Sequence, residues 1–231
     1  MLSHQGVVPP LDWITVWALL LAAAGHDVGH PGLSNAFMVN ARTPISHVFS
    51  DGSVLENFHR ITFTRMLRQH GFGKLVDTHA GFRRVIVSSV LATDMGRHFP
   101  IVEELKALCK LWEDDESTIE ASLDEKALIT AGLIKCGDIS NSSRPHHISL
   151  TWSSCLLHEW SRQAALENDL HLPVSVVTLD PAEKRAQAKS QIGFTTLFVL
   201  PLFSVMETLS PIGEFNACHP IIHFVFHLIW C

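Results

Sequence analysis

An all-α domain is the fold class this sequence predicts, and three observations carry it. Apolar residues recur at helical spacing, helix-start signals recur along the chain, and few stretches alternate with a two-residue period. No Gly-Asn hairpin signal separates the apolar runs. At 231 residues the chain can bury a substantial core. With 47% hydrophobic and 17% charged residues it is globular, not disordered. A net charge of -6 without a long basic run argues against a nucleic-acid surface.

The elements follow from their punctuation. Pro9-Pro10 closes an irregular start, and residues 11–24 form the first helix, apolar enough to be buried. Ser53-Val54-Leu55-Glu56 has the form of a capping box that opens a helix to about Gln69. Asp77 is a candidate cap for a helix through Ile86 and Val90, and Asp124 for one through Leu128, Leu133 and Ile134. Asp180-Pro181-Ala182-Glu183 places a cap, a proline and an acid at the start of a further helix. The acidic stretch at 113–116 reads as a solvated loop.

Two apolar runs, 13–24 and 220–231, are too short to span a bilayer, and no basic segment precedes the first. No membrane anchor is therefore expected. Five cysteines without CxxC spacing fit free thiols in a reducing compartment, so the expected location is cytoplasmic. Nothing in the sequence indicates an oligomeric state.

Chemistry is concentrated in Gly25-His26-Asp27-Val28-Gly29-His30-Pro31-Gly32. If the helix continues to Gly29, His26 and His30 share one face, with Asp27 beside them. Imidazole and carboxylate suit zinc, and the carboxylate also suits magnesium or manganese. Taken alone the pentapeptide leaves two other readings open. His30 is a helix-terminal histidine satisfied by backbone, or the two histidines form a zinc peptidase with Asp27 as its base.

Four further polar islands lie in apolar helical context: Leu55-Glu56-Asn57-Phe58-His59, Leu91 through Phe99 around Thr93-Asp94, Lys135-Cys136-Gly137-Asp138-Ile139-Ser140-Asn141, and Ser190-Gln191-Ile192-Gly193-Phe194. In this order, together with the His-Asp motif, they resemble the catalytic domain of class I cyclic nucleotide phosphodiesterases, in their fungal branch. This is a helical, HD-type family of metal-dependent phosphohydrolases. The resemblance runs from about Leu11 to Phe203 and divides the chain into an irregular segment 1–10, a catalytic domain 11–210 and a divergent tail 211–231.

The resemblance implies roles position by position. His26, Asp27 and Asp138 match metal ligands for zinc, with Asp27 shared with a second ion, magnesium or manganese. His30, Glu56, His59, Thr93 and Asp94 match residues that hold waters or orient those ligands. Gln191 matches the glutamine that hydrogen-bonds the purine and Phe194 the aromatic that stacks on it, while Asn141 and Leu156 match other walls of that pocket. The implied reaction is hydrolysis of 3',5'-cyclic nucleotides, cyclic AMP first among them, to 5'-monophosphates in signal transduction. A pair of close cations supplies hydroxide near neutrality for that reaction.

The family's upstream His-Asn-x-x-His motif, which supplies a zinc ligand and the proton donor, has no match here. The chain is accordingly expected to be incomplete at both ends. The alternative expectation is an impaired fragment or pseudoenzyme that binds a nucleotide or a partner without turnover.

Overall fold

The computed structural model describes residues 11–113, 121–180 and 183–209, and among these no strand occurs. The helices are α1 (Trp13–Gly25), α2 (Asn35–Asn40), α3 (Pro44–Val48), α4 (Val54–Leu67), α5 (Gly73–Thr78) and α6 (Ala80–Ala92). They continue as α7 (His98–Glu113), α8 (Leu123–Asp138), α9 (His146–Asp169), α10 (Lys184–Phe194) and α11 (Leu200–Leu209). The all-helical expectation holds. Positions 1–10, most of the acidic stretch, Pro181-Ala182 and the tail from 210 lie outside the described residues.

The centre of the fold is α6, which packs against α1, α4 and α8. Its spacing explains this: Phe82, Val85, Ile86, Ser89 and Val90 recur at helical intervals and are all buried. Ala18, Leu19 and Ala22 meet it from α1 and Ile134 from α8, while Leu105, Leu202 and Met206 extend the same core through α7 and α11. Each larger side chain among them contributes about 1.5–3 kcal/mol by leaving water. A satellite cluster of Phe37, Met38, Val54 and Leu55 supports the segment between α1 and α4.

Several boundaries differ from expectation, each for a tertiary reason. The first helix starts at Trp13 because the Asp12 carboxylate accepts the Thr15 N–H at 2.9 Å. It is buried on one side only, since Trp13 and Trp17 are exposed. The expected capping box at Ser53 does not form. Ser53 is left-handed (φ 43°), and its hydroxyl donates to Asp94 Oδ2 at 2.6 Å instead. Asp77 caps nothing; it pairs with Arg68 at 2.8 Å, and the His79 imidazole accepts the Phe82 N–H that opens α6. The capping box of α8 belongs to Ser122 and Glu125, with Asp124 one residue inside the helix. Glu183, not Asp180, stands at the cap position of α10.

The helical run Lys184–Leu209, formed by α10, a short π-helical turn and α11, is by length and composition long and apolar enough to cross a membrane. The expectation of no anchor, drawn from two shorter runs, overlooked it. Here its inner residues Val199, Leu202, Val205, Met206 and Leu209 pack into the core. Cys136 and Cys155 are free thiols.

Behind the site, α9 is tied to the start of α2 by a buried polar network. Gln163 Oε1 accepts the Ser34 N–H at 2.8 Å, and Gln163 Nε2 donates to Ser34 Oγ and Glu167 Oε1. Glu167 Oε2 accepts the Ser175 N–H at 3.0 Å, so a fully buried carboxylate is satisfied from three sides.

Candidate metal and phosphodiester site

The His-Asp motif begins where α1 ends. Gly25 is the last helical residue and His26 the cap, so His26 and His30 do not lie on one helix face as expected. A turn follows instead, with the His30 N–H donating to the Asp27 carbonyl at 3.0 Å and Gly29 at φ 75°. That backbone conformation favours glycine, and a side chain there would also crowd Phe58. The peptidase reading, which needed the shared face, loses its geometry.

His26 is buried, and its Nδ1 donates to the Ala23 carbonyl at 2.9 Å, as the nitrogen of the last turn must when facing a carbonyl. Its Nε2 is thereby turned toward two carboxylates, 3.3 Å from Asp27 Oδ2 and 3.5 Å from Asp138 Oδ1. Asp138 arrives from far along the chain as the last residue of α8. Burial disfavours a charged imidazole, yet Asp138 and Asp27 outweigh it and hold the pKa of His26 up at about 11.

His59 comes from α4 and is buried. Its Nδ1 faces the Val28 carbonyl at 2.9 Å, and its Nε2 stands 4.0 Å from Asp27 Oδ1, beyond direct hydrogen bonding. Burial pushes its pKa down, which keeps the ring neutral. His30 stacks on it at 5.5 Å and accepts the Gly32 N–H on Nδ1. Glu56, also on α4, accepts from Asn35 Nδ2 at 2.9 Å, and burial raises its pKa. Asp94 caps the turn after α6 by accepting the Gly96 N–H at 2.8 Å. The Thr93 hydroxyl is directed back to the Val90 carbonyl at 2.8 Å, along its own helix and not toward the carboxylates.

The purine-site candidates sit on other elements. Asn141 Nδ2 donates to the Ser149 carbonyl at 3.1 Å and to Ser153 Oγ at 3.3 Å, which ties it to α9. Its Oδ1 is buried without a hydrogen-bond partner among the described residues, an acceptor left for a ligand. Leu156 is half exposed one turn beyond Ser153. Gln191 and Phe194 lie within one turn of α10, and Phe194 packs on Phe198 at 5.2 Å.

Among the described residues no three His, Cys, Asp or Glu side chains close into a ready cage. Two carboxylates share His26 Nε2 instead. Their separations, 3.3 and 3.5 Å, exceed a good N–H···O bond and match the spacing between donors of a four-coordinate ion. With Nδ1 already engaged, Nε2 is the atom available to a metal. The residues present therefore fit a divalent cation bound by His26, Asp27 and Asp138 with solvent completing its sphere.

Sequence reasoning passed over three residues that shape this centre. Asn35 fastens Glu56 and also accepts the Leu55 N–H, and Ser53 fastens Asp94. Lys135, fully buried, donates to the Ala92 carbonyl at 2.8 Å. Its only signal was a lysine in an otherwise apolar helical stretch, one turn before Asp138.

Fold and site together define a helical protein with a histidine–aspartate centre where α1, α4, α6 and α8 meet. The profile of the 3'5'-cyclic nucleotide phosphodiesterase family matches residues 1–219, and the chain belongs to that family. It is 32% identical over 220 residues to the mouse high affinity cGMP-specific 3',5'-cyclic phosphodiesterase 9A, covering 94% of this chain and 40% of the relative. It is 34% identical over 209 residues to the 3',5'-cyclic-nucleotide phosphodiesterase regA of Dictyostelium discoideum, covering 89% of this chain and 26% of that protein. The chain thus spans two-fifths or less of these relatives' lengths. In structure it resembles the phosphodiesterase domain of the RhoPDE fusion protein of Salpingoeca rosetta, with a TM-score of 0.75 and 26% identity over 97% of this chain and 68% of that one.

Proposed function

We propose that this chain hydrolyses 3',5'-cyclic nucleotides to 5'-monophosphates at the His26 centre. The observation that carries the reading is His26 Nε2 flanked by Asp27 and Asp138, two carboxylates from distant parts of the chain. Divalent cations held there, zinc with magnesium or manganese, would activate water and offset phosphoryl charge. Asp27 and Asp138 supply the negative charge that retains them. Glu56 has a pKa raised by burial and by the neighbouring Asp94 and Asp27 carboxylates, which suits it to accept a proton from water. Neutral His59, anchored by Val28, faces Asp27 from the other side and limits how far that carboxylate can swing.

Gln191 and Phe194 offer an amide edge beside an aromatic plane, the pair a purine needs. By flipping, that amide matches adenine or guanine. Cyclic AMP is the first substrate to try on the sequence resemblance, and cyclic GMP stands beside it because the mouse relative is named for it.

The test is chromatography of the 5'-monophosphate formed from each cyclic nucleotide by the purified chain with zinc and magnesium, against Asp138→Asn. Losing partners outside the ligand shell typically costs 10- to 100-fold, so losing a ligand is expected to cost more than about 100-fold. Cyclic nucleotide that binds without turnover would establish a binding protein instead. Neither binding nor turnover by the folded chain would end the reading.

A further inference from the structure

Lysine is almost never fully buried unless its charge is compensated. Lys135 is 0% exposed on α8, and its two hydrogen bonds go to backbone carbonyls at the end of α6, Ala92 at 2.8 Å and Asp94 at 3.4 Å. Those bonds satisfy two of its three N–H donors but do not compensate the charge. Burial is the larger influence and takes the lysine's pKa down, while three carboxylates, Asp138, Asp94 and Glu56, favour its charge through space and Arg97 opposes it. All three belong to the centre described above. One lysine is thus built into the acidic side of a site that fits divalent ions.

Its placement also has a mechanical consequence. Asp94 stands at the turn leaving α6, and Asp138 one turn beyond Lys135 on α8. Because Nζ reaches the Ala92 and Asp94 carbonyls, it fixes the end of α6 against the end of α8. This one side chain thus adds to the packing that sets the relative position of the two carboxylates.

We propose that Lys135 is a positioning residue and internal counter-cation of the metal centre. It sets the register of Asp94 against Asp138, and it offsets one unit of their charge so that the acid cluster holds divalent ions less tightly than it otherwise would. Weaker holding suits an ion that must leave room for a phosphate to enter. The inference rests on the metal centre proposed above.

The two roles are read by different measurements, the register by kcat and the charge by cation affinity, and in affinity a counter-cation differs in sign from a purely structural lysine. A purely structural lysine, once removed, loosens the site and weakens cation binding. A counter-cation, once removed, leaves the acid cluster more negative and strengthens it. The experiment is calorimetric titration of Mn²⁺ into the full chain and into Lys135→Met, Lys135→Gln and Lys135→Arg, with thermal melts of each. Both neutral variants are expected to bind Mn²⁺ more tightly, by about tenfold for the loss of one neighbouring unit charge, and Lys135→Arg to bind as the parent does. Turnover is expected to fall in kcat for Lys135→Met and to recover in part for Lys135→Gln, whose amide can still donate to Ala92.

Unchanged or weaker Mn²⁺ binding in whichever neutral variant melts cooperatively overturns the inference while leaving the metal centre standing. Absence of Mn²⁺ uptake by the parent chain itself removes the centre, and this inference with it. Should Lys135→Met fail to fold, Lys135→Gln carries the same comparison.

Discussion

Asp12 shows how one residue at the edge of the fold acts on the site inside it. Its carboxylate caps α1 through the Thr15 N–H and pairs with Lys126 Nζ at 2.8 Å, so it holds the helix that ends in His26 against α8. Burial works against its charge, but Lys126 and the cap prevail and take its pKa down to about 2. A depressed carboxylate pKa means stability that is present above the unfolded value near 3.8 and is lost as pH falls toward 2. The shift at face value is about 2.4 kcal/mol. Because Asp12 is 41% exposed, solvent screening reduces it to about 1 kcal/mol. Asp12→Ala is therefore expected to melt about 2–4 °C below the parent at pH 7, with the gap closing between pH 4 and 2 in melts followed by circular dichroism. A gap that persists at pH 2 would show that the effect is not electrostatic. Little of this was legible in the sequence. Asp12 stood inside the expected helix 11–24, not recognised as its cap, and its partner Lys126 lies across the fold, beyond the reach of any local pattern.

At the scale of elements, what the sequence revealed was the existence of helices and what it hid was their ends. Periodic apolar residues are a property of the helix itself, so α1, α4, α6 and α8 were readable. Caps are settled by competition among tertiary partners: Asp94 takes the Ser53 hydroxyl, Arg68 takes Asp77, and His79 caps α6. The same logic explains why the motif histidines were placed on one helix. Nothing local stated that Gly25 would end α1, but the packing does. A Cβ on Gly25 would overlap the Phe63 ring of α4, so α1 and α4 approach at this point as only glycine allows. Gly25→Ala is expected to force the helices apart, costing about 1–3 kcal/mol and moving the adjacent His26. Mn²⁺ titration and thermal melts should both show a loss, and Phe63→Leu in the same chain should restore part of each by making room. Loss of stability with undiminished Mn²⁺ affinity would separate this contact from the site.

The whole molecule gathers residues from four helices around one histidine–aspartate centre, and that gathering has a thermodynamic consequence. The order of the motifs was legible from the start because each motif is a short local string. Their convergence was not, since it depends on α6 packing simultaneously against α1, α4 and α8. The candidate purine-site residues Asn141, Leu156, Gln191 and Phe194 sit on later elements, outside that junction. A cation bound by His26, Asp27 and Asp138 would join the end of α1 to the end of α8, a link the unfolded chain cannot make. Binding to the folded state alone adds about 2.7 kcal/mol at a hundredfold excess over Kd. For a chain of this length that corresponds to a rise in Tm of about 5–10 °C. Zinc or Mn²⁺ is expected to raise the melting temperature by that order, a chelator to reverse it, and Asp138→Asn to abolish it. The same two carboxylates favour a proton on His26, so a cation taken up there competes with that proton and the rise should grow with pH. A rise that survives in Asp138→Asn would place the cation elsewhere and leave α1 and α8 joined by side chains alone.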